Sequence, residues 1–301
     1  MMMKKTHNPS RTRRPLAMLL ACLLLLIPLV FTAPVSANTK SMRVITFNIN
    51  ADRANGSVAG ISSYMLGSGA DVIGLQEASW AETSITGPNA QKAGGEIAEA
   101  TKGVYSCYTG IPDLPFKEYG WGWRNPIFWK TSEYNWITGG SYMISEVKTN
   151  KFLWDENRIR QATSADYNSI VPNPIAAPEG RAARIVTWVV LEEKSTGKRF
   201  IVANGHMPNP LTGLAYRGTQ IYYDRMAELQ REYNLPMICM GDYNTTNLSP
   251  FTNNGYTTAA ADGVDRILVK GVTAQSSVVD SGVKAAFNSD HSAVHAVVSV
   301  P

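Results

Sequence analysis

Short apolar runs of strand length recur from Arg43 to the end of the chain, and most of them stop at a glycine or a polar residue. "RVITFNI" (43–49), "DVIGLQ" (71–76), "PIFWK" (126–130), "RIVTWVVLEE" (184–193), "RFIVAN" (199–204), "PMICM" (236–240), "VDRILV" (264–269) and "AVHAVVSV" (293–300) are rich in β-branched and aromatic residues and read as strands. Helical patterns separate only some of them. A helix is expected near Val58 to Leu66, stopped by Gly67 and Gly69. Tyr222, Met226, Leu229 and Tyr233 recur at helical spacing, which predicts an amphipathic helix over 214–233. "KSTGK" reads as a hairpin turn with Gly197 at its tip. Hairpins and helical crossovers in one chain point to α/β layers with mixed sheets in one domain. The polar, aperiodic stretch 141–180 reads as long loops with room for a short helix.

The first 37 residues read differently. Lys4, Lys5, Arg11, Arg13 and Arg14 form a basic head, an apolar run extends from Leu16 to about Ala33, and "VSA" ends at Ala37. That order describes a secretory signal peptide, cleaved to leave residues 38–301 as a single secreted domain; a retained membrane anchor is the alternative. Its removal takes five basic residues and no acids, so the formal net charge falls from +4 to −1. The mature chain therefore carries no basic excess of the kind that advertises tight nucleic-acid binding. Cys107 and Cys239 remain, and Cys239 sits in an apolar strand, as a buried free thiol would.

Polar groups with oxygen or nitrogen ligands gather at the strand ends: Asn48, Glu77, His206, Asp242 with Asn244, Asp265, and Asp290 with His291. "GDYN" (241–244) alone is a common turn sequence. On an extended backbone, however, residues two apart face one side, so Asp242 and Asn244 would converge while Tyr243 turns away. His295 alternates within a strand and reads as packing or surface.

This set, in this order, resembles the endonuclease/exonuclease/phosphatase superfamily, through "TFNIN", "DVIGLQE", "VANGH", "MGDYN", "VDRILV" and "SDH". The resemblance spans about residues 42 to 300. It implies a four-layer sandwich of two packed mixed β-sheets flanked by helices, and a metal-dependent phosphodiesterase. "VDRILVKGVTAQSSVV" is particularly similar to the deoxyribonuclease I branch. The chemistry suits the residues. Hydrolysis of an anionic phosphodiester needs charge neutralisation and an oriented water. Glu77 offers a hard carboxylate for Mg²⁺ (or Mn²⁺ or Ca²⁺), with Asn48 and Asp290 completing the metal set. Asp242 is the expected general base and Asn244 fixes its position. His291 is expected to donate to a phosphate oxygen, and the resemblance makes Asp265 its carboxylate partner. His206 would contact the phosphate or protonate the leaving group.

One departure stands out. Relatives of the bacterial and deoxyribonuclease I type carry a Glu just before the "PIFW"-like strand, as partner to the residue matching His206. Here Trp123 stands there, and Glu118 is out of register. Arg184 is expected either to reach a substrate phosphate or to lie solvated at a strand end. "YGWGW" (119–123) is core packing, a stacking platform for bases or a wedge for a lipid interface. The expected substrate is a nucleic acid, with a sphingomyelinase-like activity on phospholipid as the alternative and an inactive binding protein as a third reading. No stable protein partner is implied, and a monomer is expected.

Overall fold

The valine- and isoleucine-rich runs β1 (Ser41–Asn48) and β2 (Val72–Gln76) pair in parallel, joined by the crossover helix α1 (Val58–Gly67). The computed structural model describes residues 40–50, 57–79, 93–109, 123–146, 152–155, 158–161, 175–176, 184–208 and 215–301. Antiparallel neighbours extend the parallel pair into a six-stranded sheet, in the order β11 (Thr273–Asp280), β12 (Ala293–Ser299), β1, β2, β4 (Ile127–Lys130), β3 (Tyr105–Tyr108). A second six-stranded sheet repeats the plan. Its order is β9 (Thr257–Asp262), β10 (Asp265–Lys270), β8 (Met237–Asp242), β7 (Arg199–His206), β6 (Ile185–Glu193), β5 (Tyr134–Met143). There the parallel pair is β7 with β8, joined through α3 (Ala215–Tyr233).

The sheets pack face to face. Val44, Val72 and Val294 from the first meet Val189, Val202, Met240 and Ile267 from the second. Strands such as β2 and β8, buried at every residue, are therefore apolar on both faces, as interior strands covered on both sides must be. Helices close the outer faces. α1, α2 (Ala93–Thr101) and α5 (Gly282–Phe287) contribute to the core against the first sheet, while α3 and α4 (Ser249–Thr252) contribute to that against the second. α3 buries Ile221, Tyr222, Met226 and Leu229 at the spacing read from sequence. Each such side chain stabilises by about 1.5–3 kcal/mol, which outweighs the modest helix propensity of its tyrosines. The result is the expected four-layer α/β sandwich, and residues 39–301 form one compact unit.

Within the two six-stranded sheets, four strands carry no sequence signal of the expected kind: β3, β5, β9 and β11. Within 141–180 the described residues form short strands and no helix. Phe152–Asp155 pairs with Arg158–Gln161, and Ser145–Glu146 pairs with Ile175–Ala176. Cys107 and Cys239 are both free thiols, the latter buried.

Candidate active site

A parallel pair delivers the carboxyl ends of both its strands to one edge of its sheet. β1 and β2 thus bring Asn48 and Glu77 together, while β7 and β8 bring His206 opposite Asp242. Antiparallel neighbours begin where these strands end. Asp265 opens β10 directly across from Asp242, Arg184 precedes β6, whose start lies beside the end of β7, and Asp290 and His291 precede β12. The two edges meet: Asn48 Nδ2 donates to Asp242 Oδ2 across the sheets at 3.1 Å and to Glu77 Oε1 at 3.3 Å.

Local backbone devices set the fine geometry. Gly241 has φ +145°, and a Cβ there would lie 1.9 Å from the Gly205 carbonyl oxygen, so only glycine lets β7 and β8 approach this closely. Asp242 Oδ1 then accepts from the Asn244 amide N–H at 2.9 Å. Asn244 itself is left-handed (φ +48°), with its side chain donating to the Met207 carbonyl at 2.9 Å. The turn and the reaction centre are thus the same structure. Tyr243 does turn away, into the core against Tyr222. Strand alternation does not place Asn244, however; the left-handed turn does. Glu77 is also left-handed (φ +56°), an uncommon state for its residue type that a supporting shell must hold. Beneath it Gln76 donates to Thr46 Oγ1 at 2.8 Å and to Asn204 Oδ1 at 2.6 Å, and Asn204 donates to the Leu75 and Pro126 carbonyls.

The electrostatics separate the two histidines. His291 Nδ1–H donates to Asp265 Oδ2 at 2.8 Å, and its Nε2 lies 3.8 Å from both Asp242 Oδ2 and Asp290 Oδ1. Burial alone would lower its pKa, but the Asp265 bond and the charges of Asp265, Asp242 and Asp290 outweigh that and raise it to about 9. His291 is an imidazolium at neutral pH. His206 goes the other way. It is almost wholly buried, and burial together with the charges of Arg184 and His291 holds it well below its ordinary value. Arg184 Nη1 donates to His206 Nδ1 at 2.7 Å, and His206 Nε2 lies 3.3 Å from Asp242 Oδ2. His206 Nδ1 also lies 3.9 Å from Glu77 Oε1, so the imidazole stands between the Glu77 and Asp242 carboxylates.

Burial raises the Glu77 carboxyl to about 7, against the opposing Asn48 bond and Arg184 charge. The mostly buried carboxylate of Glu77 and the exposed one of Asp290 both offer the hard oxygen ligands a divalent cation of the Mg²⁺ type takes. Asn48 presents its amide nitrogen to this region while its Oδ1 accepts from the Asn50 N–H at 3.0 Å, so it orients Glu77 and Asp242 rather than offering an oxygen. Asp242, Asp265 and His291 also bring ligand atoms within 4.8 Å of one another. The Asp265–His291 hydrogen bond already occupies that cluster, which fits a base and a phosphate-facing cation better than a metal nest. The Asp290 carboxylate accepts from Asn50 Nδ2 at 2.9 Å.

The structure therefore brings Asn48, Glu77, His206, Asp242, Asn244, Asp265, Asp290 and His291 to one region, and Arg184 joins them as neither a free strand end nor a distant contact. Sequence reasoning missed Ser289, whose hydroxyl donates to the Asn48 carbonyl at 2.8 Å and accepts from the His291 N–H at 3.0 Å, tying the last loop to β1. It also missed Asn50, Gln76 and Asn204. Small polar residues beside recognised site groups were the available signal. Glu118, the side chain of Trp123 and the rest of "YGWGW" lie outside the described residues.

A family model described as "Endonuclease/Exonuclease/phosphatase family" matches residues 45–291. No curated protein matches the chain. Among solved structures, an endonuclease/exonuclease/phosphatase protein from Bacteroides vulgatus superposes with TM-score 0.61 at 17% identity, over 87% of this chain and 100% of that one. A mannosyl-6-phosphatase from Bacteroides thetaiotaomicron gives 0.57 at 18%, over 85% and 99%. The D. rerio protein TDP2, complexed with a single-strand DNA product, gives 0.52 at 13%, over 86% and 99%. At these identities the likeness is one of fold.

Proposed function

The chain belongs to the endonuclease/exonuclease/phosphatase family, and on that premise we propose that it is a secreted, divalent-metal-dependent phosphodiesterase acting on nucleic acid. The observation that carries the reading is the pairing of a carboxylate and an imidazolium where the two sheet edges meet: Asp242 Oδ2 and His291 Nε2 stand 3.8 Å apart. Asp242 accepts from Asn48 and from the Asn244 N–H, which fixes its position, and it takes the proton of the attacking water. His291, held by Asp265, donates from Nε2 to a non-bridging phosphate oxygen where charge accumulates. Glu77 and Asp290 would hold a Mg²⁺-type cation, with Asn48 orienting the Glu77 carboxylate. When bound, the cation would polarise the phosphoryl oxygen and stabilise the leaving oxyanion.

Nucleic acid is favoured by the likeness of residues 264–279 to the deoxyribonuclease I branch, a segment that forms β10 and most of β11. The single-strand DNA product held by the D. rerio neighbour agrees. Secretion rests on the basic head, apolar run and "VSA" site, and on the compact unit that begins at Thr39. Plasmid nicking by purified residues 38–301 with Mg²⁺, abolished by EDTA and by Asp242→Ala or His291→Ala, is the expected result. Hydrolysis of sphingomyelin without nicking would reassign the substrate, and activity on neither would remove the proposal.

A further inference from the structure

The inner faces of four central strands change character together as they approach the site. Level with one another in the first sheet lie Val44 and Val72, then Thr46 and Gly74, then Asn48 and Gln76. The second sheet runs Val202 and Ile238, then Asn204 and Met240, then His206 and Asp242. The valine and isoleucine level belongs to the apolar core between the sheets. Above it, amides cross from sheet to sheet. Asn204 donates from Nδ2 to the Leu75 carbonyl at 2.8 Å and to the Pro126 carbonyl at 3.0 Å, so one side chain of the second sheet clasps β2 and the residue that leads into β4. Backbone carbonyls only accept, so this amide has its nitrogen toward them and its Oδ1 toward Gln76. Gln76 Nε2 donates to that Oδ1 at 2.6 Å and to Thr46 Oγ1 at 2.8 Å. Gly74 makes the room: a Cβ there would lie 2.9 Å from Asn204 Cγ and 2.6 Å from Met240 Sδ. Thr46, Gln76 and Asn204 are all fully buried.

Stability does not explain this network. The core below already holds the sheets together, and Gln76 Oε1 has no partner among the described residues, which is a cost for a buried acceptor. What apolar burial lacks is direction; hydrogen bonds prescribe distance and angle. We propose that Asn204 and Gln76 are positioning residues, a polar bolt that fixes the alignment of one sheet on the other directly beneath the site. This deepens the phosphodiesterase reading and rests on it for its catalytic consequence. The site is divided between the sheets: Asn48, Glu77 and His291 come with the first, Asp242 and Asp265 with the second. Two hydrogen bonds join the halves, Asn48 Nδ2 to Asp242 Oδ2 and His291 Nδ1 to Asp265 Oδ2. Both depend on how the sheets are aligned. Gln76 adjoins Glu77, and Asn204 stands two residues before His206, so the bolt lies next to residues of both halves.

Two variants test the bolt. Asn204→Leu combined with Gln76→Met replaces both amides by apolar side chains of similar size. Thr46→Val keeps its shape and removes one acceptor of Gln76. In protein labelled with ¹⁵N-asparagine and held in EDTA, the Asn48 side-chain amide of the wild type should exchange slowly with solvent, as its bond to Asp242 requires. In both variants it should shift and exchange faster, while melting stays cooperative. On bis-p-nitrophenyl phosphate kcat should fall, by roughly 100-fold in the apolar pair, the effect of about 1 Å of misplacement, with KM little changed. Wild-type kcat in a folded apolar pair overturns the proposal, and so does an Asn48 amide that the variants leave untouched. If the pair does not fold, Thr46→Val decides on the same two readings. A shifted Asn48 amide in a protein that cleaves no phosphodiester keeps the bolt and removes only the proposed reaction.

Discussion

At the scale of single residues the site works by unequal treatment of like groups. His291 and His206 both face Asp242, yet one is held charged by three carboxylates and the other is kept neutral by burial and a guanidinium. The sign of the pH effect follows from the first. His291 has a folded pKa of about 9 against an ordinary 6.5, so it stabilises the folded protein fully below pH 6.5, and that contribution disappears as pH rises through 9. In EDTA, the melting temperature should therefore fall between pH 7 and 9, and His291→Gln should flatten that fall; an equal fall in the variant would contradict the His291–Asp265 pairing. Which residues would gather was legible in the sequence, because each sits just past or just before an apolar run. What each does was less legible. The orientation of the Asn48 amide is set by Asn50 two residues on, and the surroundings of His206 include Arg184 just before β6, and no spacing rule encodes either contact.

At the scale of elements, two parallel pairs bring four strand ends to the cleft. Their closeness depends on Gly241, where any side chain would strike the Gly205 backbone. Gly241→Ala should cost several kcal/mol, near the upper limit of about 4–5 for point substitutions, and should remove activity by spreading β7 from β8. Gly67→Ala, at a position with open space around it, should leave melting essentially unchanged. Urea denaturation of both variants tests the contrast, and equal stabilities would show that the close approach is not needed. The central strands were readable because both faces are buried and the sequence is nearly continuous in Val, Ile, Leu and Met. Edge strands were not. β11 (TAQSSVVD) is exposed along almost its whole length and β9 (TTAAAD) is half exposed, so neither needs an apolar run and each is held by its ladder to a buried neighbour. β5 was missed for another reason: its glycines 139 and 140 pack against Trp188, so the bulk that marks a strand is supplied by its neighbour.

At the scale of the whole molecule, folding produces a carboxyl group at Glu77 that is costly to ionise without a cation beside it. Mg²⁺ should therefore raise the melting temperature of residues 38–301, by an amount corresponding to about 1.4 kcal/mol at a tenfold excess over its Kd, and Glu77→Gln should abolish the rise. A thermal shift that survives Glu77→Gln would place the cation elsewhere. The most direct test of the catalytic claim is hydrolysis of bis-p-nitrophenyl phosphate by wild-type protein and Asp242→Asn, which keeps shape and hydrogen-bonding capacity while removing the base. The expected result is a loss of about 10²–10⁴ in kcat with melting preserved. Wild-type turnover by Asp242→Asn would contradict the assignment of this cleft as the place where phosphodiesters are cut.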